Sequence, residues 1–436
     1  MLTVEELAAF DRPVPRYTSY PTVPVWGPLP PERTTAALQA IKGPAQLYVH
    51  VPFCREQCSF CACNQVVAGR RDAGDRFLDA LELQLERQPR VEVGRVHLGG
   101  GTPTWLDVPQ LRRLWLALSS HFPPVPGAEL SVEADPEVTT QEQIRALTGW
   151  GFRRLSLGVQ SFDLKVLTAV NRPQLGDRVE ELLRFARERG WRGLNVDIMY
   201  GLPHQSLESF EATLERVIEL RPDRLAVFGY AHVPWLRRHQ RAIDEAVLPD
   251  REVRSACVLA AQRELVGAGY AAIGFDHFAL PTDELAQGPR TRNFMGYSVR
   301  GGDMIGLGPS AISDVAGVMW QDELGLGAWM RKLRAGEPLA VRGWVRDRED
   351  DLREAVIHGL MCDLVVDVEA VEAFWGIDFG EHFAAELDEL HPLVDEGLVD
   401  VGFAHLRVTE RGRPLARLVA RAFDARRSPA RHSQTV

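Results

Sequence analysis

Four of the chain's six cysteines, Cys54, Cys58, Cys61 and Cys63, crowd into one short stretch, while Cys257 and Cys362 stand alone. The stretch reads Tyr48-Val-His-Val-Pro-Phe-Cys54-Arg-Glu-Gln-Cys58-Ser-Phe-Cys61-Ala-Cys63 and follows an apolar run that has the texture of a strand. A C-x3-C-x2-C loop in that position can wrap three thiolates around one face of a [4Fe–4S] cubane. The fourth iron then stays open and can take a small chelating molecule. Two other readings use the same residues. A structural zinc site normally draws on two separated pairs of ligands, and no second pair exists here. An electron-carrying cluster would need Cys63 as a fourth ligand, and Cys63 shares a side with Cys61 only where the segment runs straight.

A second constellation lies downstream. Gly99-Gly-Gly-Thr-Pro-Thr104 falls where a second strand should end, and glycines there let the backbone approach a ligand closely. Glu133, Gln160, Asp197 and Ala231 also fall at or just beyond strand ends. Groups at the C-terminal ends of successive parallel strands converge on one mouth, so a single shared site accounts for all of them.

The elements that must hold these residues are legible. Strands are expected at Gln46–Val51, Arg95–Gly99, Glu129–Glu133, Arg154–Val159, Gly193–Met199 and Arg224–Gly229, each rich in Val, Leu or Ile and ended by Gly, Pro or a polar residue. A further strand is expected near Ala271–Phe275. Between them, Phe77, Leu78, Leu81 and Leu85 share one helical face, as do Leu111, Leu114, Trp115 and Leu118, and Leu207, Phe210, Leu214 and Val217. Repeated right-handed βα units of this kind form a parallel sheet, and six of them give an α/β fold with an incomplete (β/α)6-type parallel barrel. Residues 1–45, rich in proline, read as an extended N-terminal arm; 46–280 as the barrel; 281–346 as a connecting segment closing the site; and 347–436 as a mainly helical, winged-helix-like domain with a hairpin at Leu398–Thr409.

Composition narrows the class. Hydrophobic residues make up 45% and charged residues 25%, as in soluble globular chains, which argues against a disordered or fibrous one. No apolar run approaches the ~18 residues of a membrane span, and Met1–Phe10 lacks a signal-peptide pattern, so a cytoplasmic protein with no membrane partner is expected. The net charge of −10, with seventeen acidic and two basic residues from Asp347 to Asp400, argues against nucleic acid as a partner. Three lysines against forty-seven arginines point to a coding bias, so an arginine is singled out only where a motif contains it.

The cysteine spacing resembles that of the radical S-adenosylmethionine enzymes. Together with Arg16-Tyr-Thr-Ser-Tyr-Pro-Thr22, Cys61-Ala-Cys63-Asn64, Gly99-Gly-Gly-Thr-Pro-Thr104, Ser131-Val-Glu-Ala-Asp-Pro136, Gly158-Val-Gln-Ser-Phe162, Val170-Asn-Arg172, Asn195-Val-Asp-Ile198, Tyr200-Gly-Leu-Pro203 and Tyr230-Ala-His-Val-Pro234, it makes the chain similar, over nearly its whole length, to the oxygen-independent coproporphyrinogen III oxidases. That resemblance implies oxidative decarboxylation of two propionates of coproporphyrinogen III to vinyl groups, giving protoporphyrinogen IX in porphyrin and haem biosynthesis. The agent would be a 5′-deoxyadenosyl radical from S-adenosylmethionine, because no ordinary side chain removes hydrogen from an unactivated carbon.

The resemblance further implies Cys54, Cys58 and Cys61 as cluster ligands; Tyr48, Gly100, Glu133 and Ile312 as contacts to the first S-adenosylmethionine; and Phe60, Gly101, Thr102, Gln160, Arg172, Asp197 and Ala231 as contacts to a second. Arg16, Tyr17 and Tyr20 would belong to a substrate lid. A small flavodoxin or ferredoxin would supply electrons, and the chain would work as a monomer. Cys63 matches a family cysteine that does not ligate the cluster, His50 reads either as tuning the cluster or as a satisfied core histidine, and Cys257 and Cys362 read as core. Two departures stand out: Phe423-Asp-Ala-Arg-Arg427 lacks the Tyr and Leu of the family's C-terminal helix, and Pro309 precedes the Ser-Ala-Ile-Ser turn. The main rival is a haem-binding chaperone of the same superfamily, whose members lack the Cys-x-Cys ending and the arm motif. A radical enzyme acting on another tetrapyrrole and a plain electron carrier are weaker rivals.

Overall fold

The computed structural model describes residues 2–172, 174, 176–428 and 432–436. The arm is less extended than its prolines suggest. Helix α1 (Val4–Phe10) starts at a capping box in which Thr3 and Glu6 satisfy each other's backbone N–H groups, and α2 (Pro31–Gln39) starts on Pro31, whose fixed φ suits a first helical turn.

Strand β1 (Ala45–Val51) is followed by the short parallel pair β2 (Phe53–Cys54) and β3 (Val66–Val67), which frames the cysteine loop. The sheet continues with β4 (Val93–Gly100), β5 (Pro124–Ala134), β6 (Arg154–Gln160), β7 (Leu194–Tyr200) and β8 (Arg224–Gly229), each parallel to the one before. These six strands fall where the apolar runs place them. Helices Asp72–Leu85, Val108–His121, Gln141–Gly149, Gly176–Arg187 and Leu207–Leu220 make the crossovers; the faces read for the first, second and fifth are buried apart from Trp115 and Leu207, which are half-buried.

The seventh parallel strand lies elsewhere than expected. Residues 271–279 fold as an antiparallel hairpin, β9 (Ala271–Ile273) with β10 (His277–Ala279), on the free edge of β8. After the hairpin β11 (Thr291–Asn293) and β12 (Gly296–Ser298), β13 (Met304–Leu307) returns to the opposite edge and pairs parallel with β1, in register Gln46↔Met304. Three antiparallel strands, β14 (Ile312–Val315), β15 (Val318–Asp322) and β16 (Ala340–Val345), extend the sheet beyond it. Seven parallel strands thus form an open arc.

In β6 and β7 the alternation shows what the arc encloses. Leu155, Leu157, Val159, Leu194, Val196 and Ile198 are buried, whereas Ser156, Gly158, Gln160, Asn195 and Asp197 keep accessible surface. A parallel strand covered on both faces is usually apolar throughout; here one face is polar because it lines a cavity.

Beyond residue 347 come helices Arg348–Cys362, Val368–Trp375, Ala384–Asp395 and Ala416–Ala422 and a three-stranded antiparallel sheet whose hairpin, Val399–Val401 with His405–Val408, lies where the sequence puts it. The family's missing Tyr and Leu are replaced by a different anchor. Arg426 donates to Asp350 at 2.9 Å and lies over the Trp344 ring, 5.3 Å from its centroid. Cys257 and Cys362 are buried. Among the described residues no helix is long and apolar enough to cross a membrane.

Candidate active site

The cysteine loop is gripped by backbone and side chains from four directions. Thr102 N–H donates to Phe53 O at 2.7 Å and Gly101 N–H to Val51 O at 2.8 Å, which fastens the glycine turn under β2. Ser59 N–H donates to Val170 O at 2.9 Å and Asn171 Nδ2 to Gln57 O at 2.9 Å. From beyond β8, His239 Nε2 donates to Cys61 O at 2.6 Å, and Gln240 Nε2 to both Phe60 O (2.9 Å) and Ala231 O (3.2 Å). Ala231 therefore meets Phe60 through Gln240, a fully buried residue. Neither His239 nor Gln240 belongs to any motif, and no spacing in the sequence marks them.

His50 is part of the same scaffold. Asn64 O accepts from Nε2 at 2.7 Å, which leaves Nδ1 to accept the Tyr48 hydroxyl at 2.9 Å. Burial lowers its pKa and favours this neutral form. It reads as a core histidine holding Tyr48 to the end of the cysteine loop.

Cys54, Cys58, Cys61 and Cys63 all line a cavity of about 370 Å³, together with Phe60, Gly100, Gly101, Thr102, Glu133, Gln160, Arg172 and Asp197. No cysteine is in a disulfide. Burial pushes the Cys54 thiol up to about 12 and raises that of Cys58 against the pull of Arg172. A hydrogen bond shared with Cys63 lowers Cys61 to about 7. Buried thiols of this kind give up their protons to a metal that replaces them. Among the described residues, no three Cys, His, Asp or Glu side chains close on one point as a single ion demands. Four free thiols set apart around a cavity, three of them at the C-x3-C-x2-C spacing, suit a [4Fe–4S] cluster, whose ligand sulfurs sit on different irons.

The cavity floor depends on its glycines. Gly100 has φ +111°, and a Cβ there would lie 2.7 Å from His50 Nδ1; one on Gly101 would lie 2.7 Å from Phe53 O. Gly100 N–H donates to Glu133 Oε2 at 3.0 Å, while Glu133 Oε1 pairs with His97 Nε2 at 3.1 Å. Burial opposes ionisation of Glu133, but the His97 and Gly100 hydrogen bonds outweigh it and hold the carboxyl below its ordinary range. Glu133 is thus an anion at the cavity wall, suited to a ligand ammonium. Tyr48 stands behind it, stacked on His97 with ring centroids 6.0 Å apart. Ile312 packs in the small cluster that includes Met304 and Tyr48.

Gln160 adopts φ +70°, closing β6 at the mouth. Asp197 accepts from Asn195 Nδ2 at 2.7 Å and Ser156 Oγ at 3.1 Å; burial nevertheless raises its pKa to about 6. Arg172 donates to Gly158 O at 2.6 Å, pairs with Asp135 at 3.1 Å and reaches Cys58 Sγ at 3.4 Å. It therefore touches the cysteine loop as well as the cavity.

Of the three arm residues, only Arg16 faces a cavity. The Tyr17 hydroxyl donates to Asp424 at 3.0 Å, and the Tyr20 oxygen accepts from Ala425 N–H at 3.1 Å. Both rings fasten the arm to the C-terminal region.

Residues 48–217 match the model of the radical SAM superfamily, and 347–415 that of the HemN C-terminal domain. The oxygen-independent coproporphyrinogen III oxidase of Salmonella typhimurium is 41% identical, covering 94% of this chain and 92% of its own; that of Escherichia coli is 40% identical with the same coverage. The solved structure of the Escherichia coli coproporphyrinogen III oxidase HemN, a radical SAM enzyme, superposes with a TM-score of 0.90 at 38% identity, over 94% of this chain and 97% of that one. With free thiols over a glycine-floored cavity and a likeness that covers 94% of its length, the chain belongs to the oxygen-independent coproporphyrinogen III oxidase family of radical SAM enzymes.

Proposed function

We propose that this chain converts coproporphyrinogen III to protoporphyrinogen IX without oxygen, turning two propionates into vinyl groups. Each conversion takes a hydrogen atom from the propionate β-carbon and releases carbon dioxide and one electron. When bound, the [4Fe–4S] cluster and S-adenosylmethionine supply the carbon-centred radical that this hydrogen abstraction needs. The observation that carries the reading is the set of four free thiols facing one cavity with Glu133, Gly100 and Asp197, three of them at the C-x3-C-x2-C spacing.

The residues divide the remaining work. Cys54, Cys58 and Cys61 hold the cluster, and the Gln240, His239 and Arg172 contacts fix the loop that carries them. Glu133 receives the ligand ammonium, Gly100 and Gly101 allow the backbone to close on it, and Asp197 accepts from ribose hydroxyls at the far side. Tyr48 and Ile312 back the first ligand; Phe60, Thr102, Gln160, Arg172 and Ala231 surround a second molecule of the same cofactor. Substrate enters where Arg16 and Thr18 of the arm and the β11–β12 hairpin line a cavity that includes Glu133 and Asp197; a closed site keeps water from the reacting carbon. A small one-electron carrier of the flavodoxin or ferredoxin kind reduces the cluster, and the chain works as a monomer in the cytoplasm.

The test is anaerobic incubation of the iron-reconstituted chain with coproporphyrinogen III, S-adenosylmethionine and a reductant. Protoporphyrinogen IX and 5′-deoxyadenosine are the expected products. Tight haem binding without turnover would instead make the chain a haem carrier.

A further inference from the structure

A second cavity of about 310 Å³ opens from the first, sharing Glu133, Ser156 and Asp197 with it. Five arginines line it, and they fall into two groups. Arg95, Arg154 and Arg224 are neutralised: Arg95 and Arg154 pair with Glu129 at 3.0 and 2.8 Å, and Arg224 with Asp283 at 2.7 Å. Arg16 and Arg292 form no ion pair among the described residues. Arg16 donates only to a carbonyl, Gly229 O, at 2.8 Å, and Arg292 to two, Arg16 O at 2.7 Å and Tyr17 O at 2.9 Å.

The carboxylate nearest this pair is already engaged. Asp276 accepts from His277 Nδ1 at 2.7 Å, which turns the other ring nitrogen of His277 away from it, and His277 also lines the cavity. Both guanidiniums act on that one engaged acid, while Glu133 and Asp197 line the side of the cavity shared with the first. Arg16 keeps more than a third of its surface accessible although protein surrounds it deeply; it lines this cavity and also a smaller one beside Gly229, Asp276 and Arg417. The walls beside it are apolar, with Phe228 under the Arg16 head at 6.0 Å and Tyr297 under Arg292 at 5.3 Å. A cationic end with aromatic walls is the shape of a receptor for a carboxylate carried on a flat apolar ring.

We propose that Arg16, Arg292 and His277 bind a propionate of the tetrapyrrole, and specifically one that the reaction leaves intact. This rests on the substrate reading above. Ion pairing favours the charged carboxylate, and that stabilisation vanishes as the group departs as neutral carbon dioxide, so a propionate held by two guanidiniums is hindered from leaving. Coproporphyrinogen III has four propionates and loses two. The pair thus serves one of the two that remain, and presents a different propionate toward the cavity beneath the cysteine loop.

The experiment uses the full chain and a stable probe, coproporphyrin III, with its tetramethyl ester as the control, followed by fluorescence titration without iron. Arg16→Gln and His277→Gln should each weaken coproporphyrin III binding roughly tenfold and leave ester binding unchanged. Arg16→Lys should recover part of the loss. In the reconstituted enzyme Arg16→Gln should raise KM by a similar factor, change kcat little, and release more 5′-deoxyadenosine per vinyl group formed. Arg292→Gln should act alike but also loosen the arm, which limited proteolysis reads separately. Unchanged affinity and KM in Arg16→Gln and His277→Gln would overturn the inference. Arginine-dependent coproporphyrin binding by a chain that never turns over coproporphyrinogen III would keep the anion site and sink the proposed reaction instead.

Discussion

Arg172 reaches Cys58 with one guanidinium nitrogen, Nη1, 3.4 Å from the sulfur, while the same nitrogen pairs with Asp135 at 3.1 Å. A charged donor beside a ligand sulfur stabilises added negative charge on a cluster. Arg172→Ala should therefore lower the reduction potential of the reconstituted cluster and weaken iron retention about tenfold. An EPR-monitored redox titration and iron retention against a chelator check both; an unchanged potential would show that the contact is only structural.

Cys54→Ala, Cys58→Ala and Cys61→Ala should each abolish loading of about four irons per chain and cleavage of S-adenosylmethionine. Cys63→Ala and Cys362→Ala should keep both. Iron and sulfide analysis after anaerobic reconstitution decides the matter, and a fully loaded Cys58→Ala chain would refute the ligand set.

At Gly100 a side chain meets two obstacles, a positive φ and the His50 ring 2.7 Å from the new Cβ. Gly100→Ala should destabilise the metal-free chain by about 1–3 kcal/mol and abolish S-adenosylmethionine binding. Denaturant melts and calorimetric titration measure the two effects. Gly69, with nothing within 4 Å of its Cβ position, is the neutral control.

Asp197 titrates near 6 because burial penalises its charge, with Glu133 adding repulsion and His277 opposing it. The folded chain thus binds a proton between the ordinary Asp pKa of 3.8 and about 6 that the unfolded chain has released, so this residue makes stability fall as pH rises through that window. Asp197→Asn should flatten that part of the stability–pH curve of the metal-free chain. An identical slope in the variant would remove Asp197 as the source.

Tyr17 and Asp424 share a buried hydrogen bond, and burial raises the pKa of both. Tyr17→Phe leaves Asp424 Oδ2 without the Tyr17 donor, while Oδ1 keeps the Arg426 N–H at 2.9 Å, and should cost about 1–3 kcal/mol. Faster proteolytic cleavage of the arm, with the barrel intact, is the expected readout.

The sequence was most legible where pattern and position coincided. The six central strands were bounded by Gly, Pro or polar residues, and their C-terminal ends carried Gly100, Glu133 and Gln160 to one mouth, which Asp197 faces from the middle of β7 rather than from its end. The seventh parallel strand was not readable at its true place: Met304–Leu307 is four residues long, and its partner β1 is remote in the chain. In the arm, the prolines drew attention from a Thr3–Glu6 capping box that signals a helix. His239, Gln240, Arg292 and His277 carried no spacing signal, because each works through a contact between elements far apart in sequence. Tyr17 and Tyr20 were legible as a motif, but the motif did not say which way their hydroxyls point.

The long return from β8 to β13 bears on how the enzyme matures. Strand β1, which presents Tyr48 and His50 to the cysteine loop, has β4 on one edge almost as soon as it is made. Its other edge stays bare until Met304–Leu307 has left the ribosome. The nascent protein therefore carries its thiols just beyond a half-covered strand through most of translation. Iron delivered before that final neighbour docks would meet a cradle still lacking one side, which places metal insertion after synthesis of the barrel and its closing strand.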